Sequence, residues 1–372
     1  LSFLRSGGNA GNGGDVIITS EGAIQTSGET AHGIHAQSVG GGGGVVGDIG
    51  NGPPAVFAGS VGGVGSAGQV KVTHTGGIVT RGHNSYGVFA QSASNDQSGI
   101  VEVSVSEGLT TLGDRAHAIY AESVGGSGAA DNVSVAVGDP VMTQGAAAQG
   151  VVAFSTGGSS GKVTVGLDGG ATTAGDDATA VQARSIATAG AAGDISVAVA
   201  GDITTSGARS FGIQAENAGS GANSVEVESI GAITTSGSRA HGIFVSAMAS
   251  GSGSSGTVSH SGNISVSGAD ADAVGLTAAA GTALVLDLGE GTVQGGSGDG
   301  AAIRIAGGGN NTVTNRSRLS AFSGTAIAGT TGNDMIDNYG TVLGNVVLGG
   351  GSNSFHNRAG SVLVDNGVIA LG

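Results

Sequence analysis

Hydrophobic and polar residues alternate along this chain in short bursts, and the bursts recur. Within residues 225–246, Val225 and Val227 alternate with Glu226 and Glu228, Ile233 and Thr235 with Thr234 and Ser236, and Ile243 and Val245 with Phe244 and Ser246. Period-two alternation over so few residues predicts three short, half-buried strands per unit. Gly231, Gly237 and Gly242 punctuate them where the chain must turn or let another backbone approach closely. Every window of 12 residues carries glycine or strand alternation in place of a 3.6-residue apolar stripe, so no helix is predicted.

The unit repeats. A pattern of Gly, two residues, Ala or Ser, one residue, Gly or Ala, then Ile or Val starts at Gly28, Gly82, Gly113, Gly145, Gly175, Gly207, Gly237 and Gly268, with spacings of 54, 31, 32, 30, 32, 30 and 31. Reading 45–68, which holds Pro53 and Pro54, as an insertion of 24 residues brings the first spacing to the common period. Equivalent positions then carry equivalent residues. The second strand presents Thr26, Thr80, Thr111, Thr143, Thr173, Thr205 and Thr235, and the third presents Ser38, Ser92, Ser123, Ser155 and Ser185. Hairpin and blade folds do not require such identity between units, whereas in-register stacking does. The expected fold is all-β, a parallel β-helix in which these hydroxyls hydrogen-bond to one another in rows. The variable, low-complexity corner after the third strand reads as spacer.

Past residue 283 the units shorten. NNTVTN, NDMIDN and NSFHN place Asn315, Asn338 and Asn357 at intervals of 23 and 19 residues, which suits an asparagine ladder along the axis. The expected organisation is one solenoid: 1–283 with eight long glycine-rich repeats, and 284–372 with shorter Asn/Gly-marked rungs of about 20–25 residues. At one strand spacing per rung the rod would be roughly 50–60 Å long.

Composition narrows the classes. The 78 glycines lack the three-residue spacing of collagen, and Val, Ile, Ala and Thr are spread among them too evenly for a disordered linker. A net charge of −15 with 12 Lys plus Arg excludes a basic patch for nucleic acid or an anionic membrane surface. The absence of cysteine fits a reducing compartment and equally a chain exported unfolded. Leu1 and Leu4 belong to no basic leader, and no run of 18 apolar residues occurs, so the chain is expected to be a piece of a longer one.

Residues 22–44, GAIQTSGETAHGIHAQSVGGGGG, and the NxGxVxGxVxLGGGxNxF unit at 338–355 resemble the passenger regions of large proteobacterial autotransporters. That resemblance covers almost the entire chain. It implies a right-handed, pertactin-like parallel β-helix, export through a covalently continuous outer-membrane barrel, and display at the cell surface as an adhesin. Partners would be a host-cell or extracellular-matrix protein or a surface glycan.

Residues that could carry chemistry are few. GTTGNDMID at 329–337 matches a calcium-binding nonapeptide except at Thr330, but that motif works in tandem and no matching Asp follows at the related turns, so it reads as a structural turn. GGSSG at 157–161 contains GxSxG, but neither the strand before it nor the helix after it that a nucleophile elbow needs is expected. Asp176 with Asp177, and Asp270 with Asp272, could serve as acid and base in a polysaccharide-cleaving β-helix, yet each pair sits in a turn where solvated Asp is the ordinary case. His32, His117 and His241 share one repeat position but not adjacent rungs, so they cannot share a metal ion. Aromatics concentrate on the third strand, where His35, Phe89, Tyr120, Val152, Gln182, Gln214 and Phe244 form one outward column, a candidate binding stripe beside a plainer reading as rung-to-rung stacking. No catalytic group, metal or cofactor is expected. The expected function is a non-catalytic, surface-displayed stalk or adhesive passenger; the alternatives are a polysaccharide-acting β-helix enzyme and a calcium-stabilised roll.

Overall fold

A computed structural model of the chain describes residues 11–41, 65–364 and 367–372. Every regular element among the described residues is a strand. The strands assort into three parallel sheets of twelve, and each strand's neighbours in its sheet are its counterparts three strands earlier and later. The chain thus contributes one strand to each sheet on every pass and forms a β-solenoid. One pass runs Ser224–Ile230, Ile233–Thr235 and Ile243–Ala249.

Register is held by like residues. Ile203 lies between Ala171 and Ile233, and Thr205 between Thr173 and Thr235. Inward positions of all three sheets merge into one core of Val, Ile, Leu and Ala that runs from Ile34 to Leu348. Alanines on the third sheet, such as Ala121, Ala153 and Ala183, are fully buried and keep the interior thin. Each coil buries its apolar face on the next.

The corner between the second and third strands explains the repeat. Its glycine does not adopt a left-handed backbone; instead, a Cβ on Gly175, Gly207 or Gly237 would fall 1.8–2.0 Å from the carbonyl oxygen of the corresponding glycine one coil earlier. Glycine stands there because coils stack too closely for any side chain. The left-handed conformation falls two residues later, on Thr30, Asn84, Arg115, Ala147, Asp177, Arg209, Arg239 and Asp270, all with φ between 53 and 56°.

The hydroxyl columns differ from the sequence expectation. Thr hydroxyls do not bond to one another: Thr143 Oγ1 donates to Ala148 O at 2.5 Å, Thr205 to Ser210 O at 2.6 Å and Thr235 to Ala240 O at 2.6 Å, with Thr26, Thr80, Thr111 and Thr173 closing the same five-residue corner. A threonine followed by a tight turn finds its own coil's carbonyl nearer than its neighbour's hydroxyl. The serines also turn to backbone. Ser92 Oγ donates to Gly68 O and accepts from Gly99 N, both at 2.8 Å, so it ties the corner before its own coil's first strand to the corner of the next coil. Ser38, Ser123, Ser155 and Ser185 repeat the arrangement.

The asparagines of the shorter coils do hydrogen-bond along the axis. Asn315 Nδ2 donates to Asn338 Oδ1 at 2.8 Å, and Asn338 Nδ2 to Asn357 Oδ1 at 2.7 Å. Most of the 45–68 insertion lies outside the described residues. Its last four residues, 65–68, run as a coil corner: Gly13 N donates to Ser66 O and Ala67 N to Gln97 O, each at 2.8 Å.

Candidate functional site: the outer face of the third sheet

The third sheet's register places His35, Phe89, Tyr120, Val152, Gln182, Gln214 and Phe244 in one column. They lie on the face away from the core, because alternation sends Val88, Ala90, Ile119 and Ala121 inward. The parallel column across the corner holds His32, Tyr86, His117, Gln149, Thr179, Phe211, His241 and Asp272. Two patches of rings result.

The first patch is closed rather than presented. His35 stacks on Phe89 at 4.8 Å between centroids, and Phe89 on Tyr120 at 5.6 Å with an interplanar angle of 5°. Tyr86 joins them between His32 and His117, at 5.0 Å from each. Tyr86, Phe89, Tyr120 and Val152 form a buried apolar cluster of their own, with Phe154 against it. Only His35 of this group is exposed. Phe89 and Val152 have 0% and 1% of their surface accessible, so the expected outward stripe offers no ring faces here; large flat side chains in adjacent rungs cover one another. The amide column beside it is closed as well: Gln37 Nε2 donates to Gln91 Oε1 at 2.7 Å and Gln91 Nε2 to Glu122 Oε2 at 2.8 Å. Burial raises the Glu122 carboxyl above its ordinary range, against the Gln91 hydrogen bond, and burial together with Glu122 raises the Tyr120 phenol.

The second patch is more open. Phe211, His241 and Phe244 contact one another at 5.0–5.7 Å, and Gln182, Gln214 and Phe244 are half-buried. Between the patches the side chains are polar and paired. Gln182 Nε2 donates to Gln214 Oε1 at 2.9 Å, Gln214 to Glu216 at 2.9 Å, and Arg184 pairs with Glu216 at 3.0 Å while lying 5.6 Å from the Phe154 centroid.

The histidine column, which the sequence reads as outer stacking or a hydrogen-bonded corner, holds backbone amides. Tyr86 N–H donates to His32 Nδ1 at 3.0 Å, Gln149 N–H to His117 Nδ1 at 3.0 Å, and Asp272 N–H to His241 Nδ1 at 2.9 Å. Each imidazole caps an amide one coil ahead, which requires Nδ1 to be unprotonated. Burial pushes His32 and His117 down to about 4. It also lowers His241, where the Asp272 carboxylate pulls the other way. Asp272 and Thr179 continue the device, accepting from Ala301 N at 2.7 Å and Phe211 N at 3.3 Å. The legible signal was that every member of the column except Phe211 carries a hydrogen-bond acceptor, although that of Tyr86 stands at the far end of its ring.

The acidic pairs are engaged. Asp176 Oδ1 accepts from Ala208 N at 2.7 Å, and Asp177 takes a bidentate ion pair from Arg209 at 2.6 Å. Asp270 Oδ1 accepts from Asp299 N at 3.1 Å, and Asp272 is buried against Arg304 Nε at 2.9 Å. Against the expectation, a strand, Val151–Gly157, does run into GGSSG, but no helix follows among the described residues; Ser160, beside the pattern's Ser159, hydrogen-bonds Ser185 at 2.9 Å. Among the described residues no three His, Cys, Asp or Glu side chains gather as a metal site.

These features define the class: a parallel β-solenoid with a laddered interior and one decorated outer sheet. Comparison with protein-family models, with curated proteins and with solved structures returned no match.

Proposed function

We propose that the chain is a stretch of an autotransporter passenger: a non-catalytic rod, displayed outside the cell, that sets reach and presents the outer face of its third sheet. The observation that carries this reading is the continuous parallel stacking of twelve strands in each of three sheets, with register shifts, among the described residues, only in the third sheet, at 186–191 and 325–327. Each coil repeats the backbone bonding of the last, so length grows by copying coils. The motifs at 22–44 and 338–355 add the family resemblance, and a cysteine-free acidic chain suits export and a soluble surface. The half-buried Phe244, with Gln182, Gln214 and the Arg184–Glu216 pair nearby, is the part of that face with both a ring and accessible polar groups.

A polysaccharide-cleaving enzyme is less well supported, because each candidate carboxylate already holds a backbone amide or an arginine. The test is antibody labelling of intact cells that encode the chain, with beads coated in the purified protein offered to matrix proteins and glycans. Labelling without permeabilisation and bead retention that falls on changing Phe244 to Ala are expected. Labelling only after permeabilisation, or glycan cleavage abolished by D176N/D177N, would overturn the proposal.

A further inference from the structure

Asp334 stands in a column of asparagines. It lies in register with Asn311, and its N–H donates to Asn353 Oδ1 at 2.8 Å. Both asparagines turn Nδ2 onto the carbonyl four residues back, Asn311 onto Gly307 O at 3.1 Å and Asn353 onto Gly349 O at 3.2 Å. Asn311 Nδ2 also donates to Asp334 Oδ1 at 2.8 Å. Oδ1 of Asp334 is therefore satisfied. Oδ2 takes the remaining branch of the side chain, the one that carries NH2 in the flanking asparagines. It is buried without a hydrogen-bond partner on a residue that is 1% exposed. It lies 2.7 Å from where a Cβ on Gly329 would sit, and Leu348 O lies 2.5 Å from the same point.

A buried carboxylate oxygen without a donor is costly, whereas a carboxylic acid in that place is itself a donor. We propose that Asp334 is held as the neutral acid, standing in for an asparagine and supplying through Oδ2–H the donor that the column requires, so that these coils loosen when the proton leaves. Burial acts in the same direction, raising the Asp334 carboxyl above its ordinary range against the Asn311 hydrogen bond.

Among the described residues no neighbouring charge substitutes for the proton. The strand Asn310–Asn315 and the third-sheet strands Thr325–Gly329 and Asn345–Val347 contain no ionisable side chain. Asp337 on the same strand and His356 on the next share the outward column and pair there with each other and with Arg358. Arg316 is taken by Asp287, and Gly372 lies beyond Asn353, with its Cβ position 3.2 Å from Asn353 Nδ2. The sign follows from linkage. An acid whose folded pKa is raised retains its proton in the folded state over a range where the unfolded chain has lost it, so its stabilising contribution is present at low pH and lost as pH rises through the folded value.

The test is the melting temperature of the whole chain and of D334N between about pH 4 and about pH 8, in chelator-treated buffer. D334N is expected to melt above the wild type at neutral pH, with the gap closing on acidification. A protonated-carboxyl infrared band at mildly acidic pH that disappears in D334N is expected alongside. A gap that does not change with pH, a less stable D334N at neutral pH, or a D334N that fails to fold overturns the proposal, since asparagine is the residue on both neighbouring rungs. Stabilisation of the wild type by calcium chloride that D334N abolishes overturns it in favour of a bound cation.

Discussion

At the scale of the residue, glycine here has two separable roles. Gly175 has no room for a Cβ, which would fall 2.0 Å from Gly145 O, while Gly28, with no described coil beneath its corner, would among the described residues meet only Ala31 Cβ at 3.5 Å. Gly175→Ala is expected to cost on the order of 2–3 kcal/mol by forcing two backbones apart, and Gly28→Ala close to nothing. Two positions after each corner glycine a residue with a Cβ carries the left-handed strain, as Ala147 does at φ 53°. Ala147→Gly should stabilise by roughly 0.5–1 kcal/mol, because relief of the Cβ clash outweighs the added freedom of the unfolded chain. Chemical denaturation of the three variants checks both claims; equal effects at Gly28 and Gly175 would remove the stacking argument.

At the scale of the element, the second strand and its corner act as one clasp. Thr173 Oγ1 donates to Ala178 O, and both residues are buried. Thr173→Val keeps the shape and removes the donor, with an expected cost of about 1–3 kcal/mol for a stranded carbonyl. Val266 occupies this position naturally, and there Gly296 N–H serves the corner carbonyl of Ala271 at 2.9 Å instead. The prediction therefore has an internal control. Loss of hydrogen-exchange protection confined to the Thr173 corner in T173V, with Val266→Ala affecting only packing, is the outcome to look for.

At the scale of the whole molecule, the buried imidazoles make the solenoid acid-labile. Burial pushes His117 and His260 down to about 4, and the two lie in different parts of the coil, His117 in the corner before a third-sheet strand, capping Gln149 N, and His260 on a first-sheet strand, bonded to Ser229 at 2.8 Å. Because the folded value lies below the unfolded 6.5, the unfolded chain binds more protons in that window, and stability is lost as pH falls from 6.5 toward 4. His117 and His260 each contribute on the order of 3 kcal/mol to that loss. Glu122 and Asp334 act in the opposite sense, being raised. His117→Gln supplies a neutral acceptor and should move the acid unfolding midpoint, followed by far-ultraviolet circular dichroism, to lower pH. An unmoved midpoint would remove His117 from the account.

Periodicity alone was enough to read three strands per unit, parallel stacking and the asparagine ladder, because in a solenoid the sequence period is the distance between contacting residues. Equal positions such as Thr205 and Thr235 touch wherever the coil closes. The destination of each polar group was not legible. Thr205 reaches Ser210 O rather than Thr235, Ser92 links Gly68 to Gly99, and His32 caps Tyr86 N–H, because hydrogen-bond partners depend on corner geometry to within tenths of an ångström. Nor could alternation tell a closed outer face from an open one. Phe89 and Phe244 read identically along the strand, yet one is buried in a ring stack and the other is not, a difference set by the side chains that adjacent coils bring beside them.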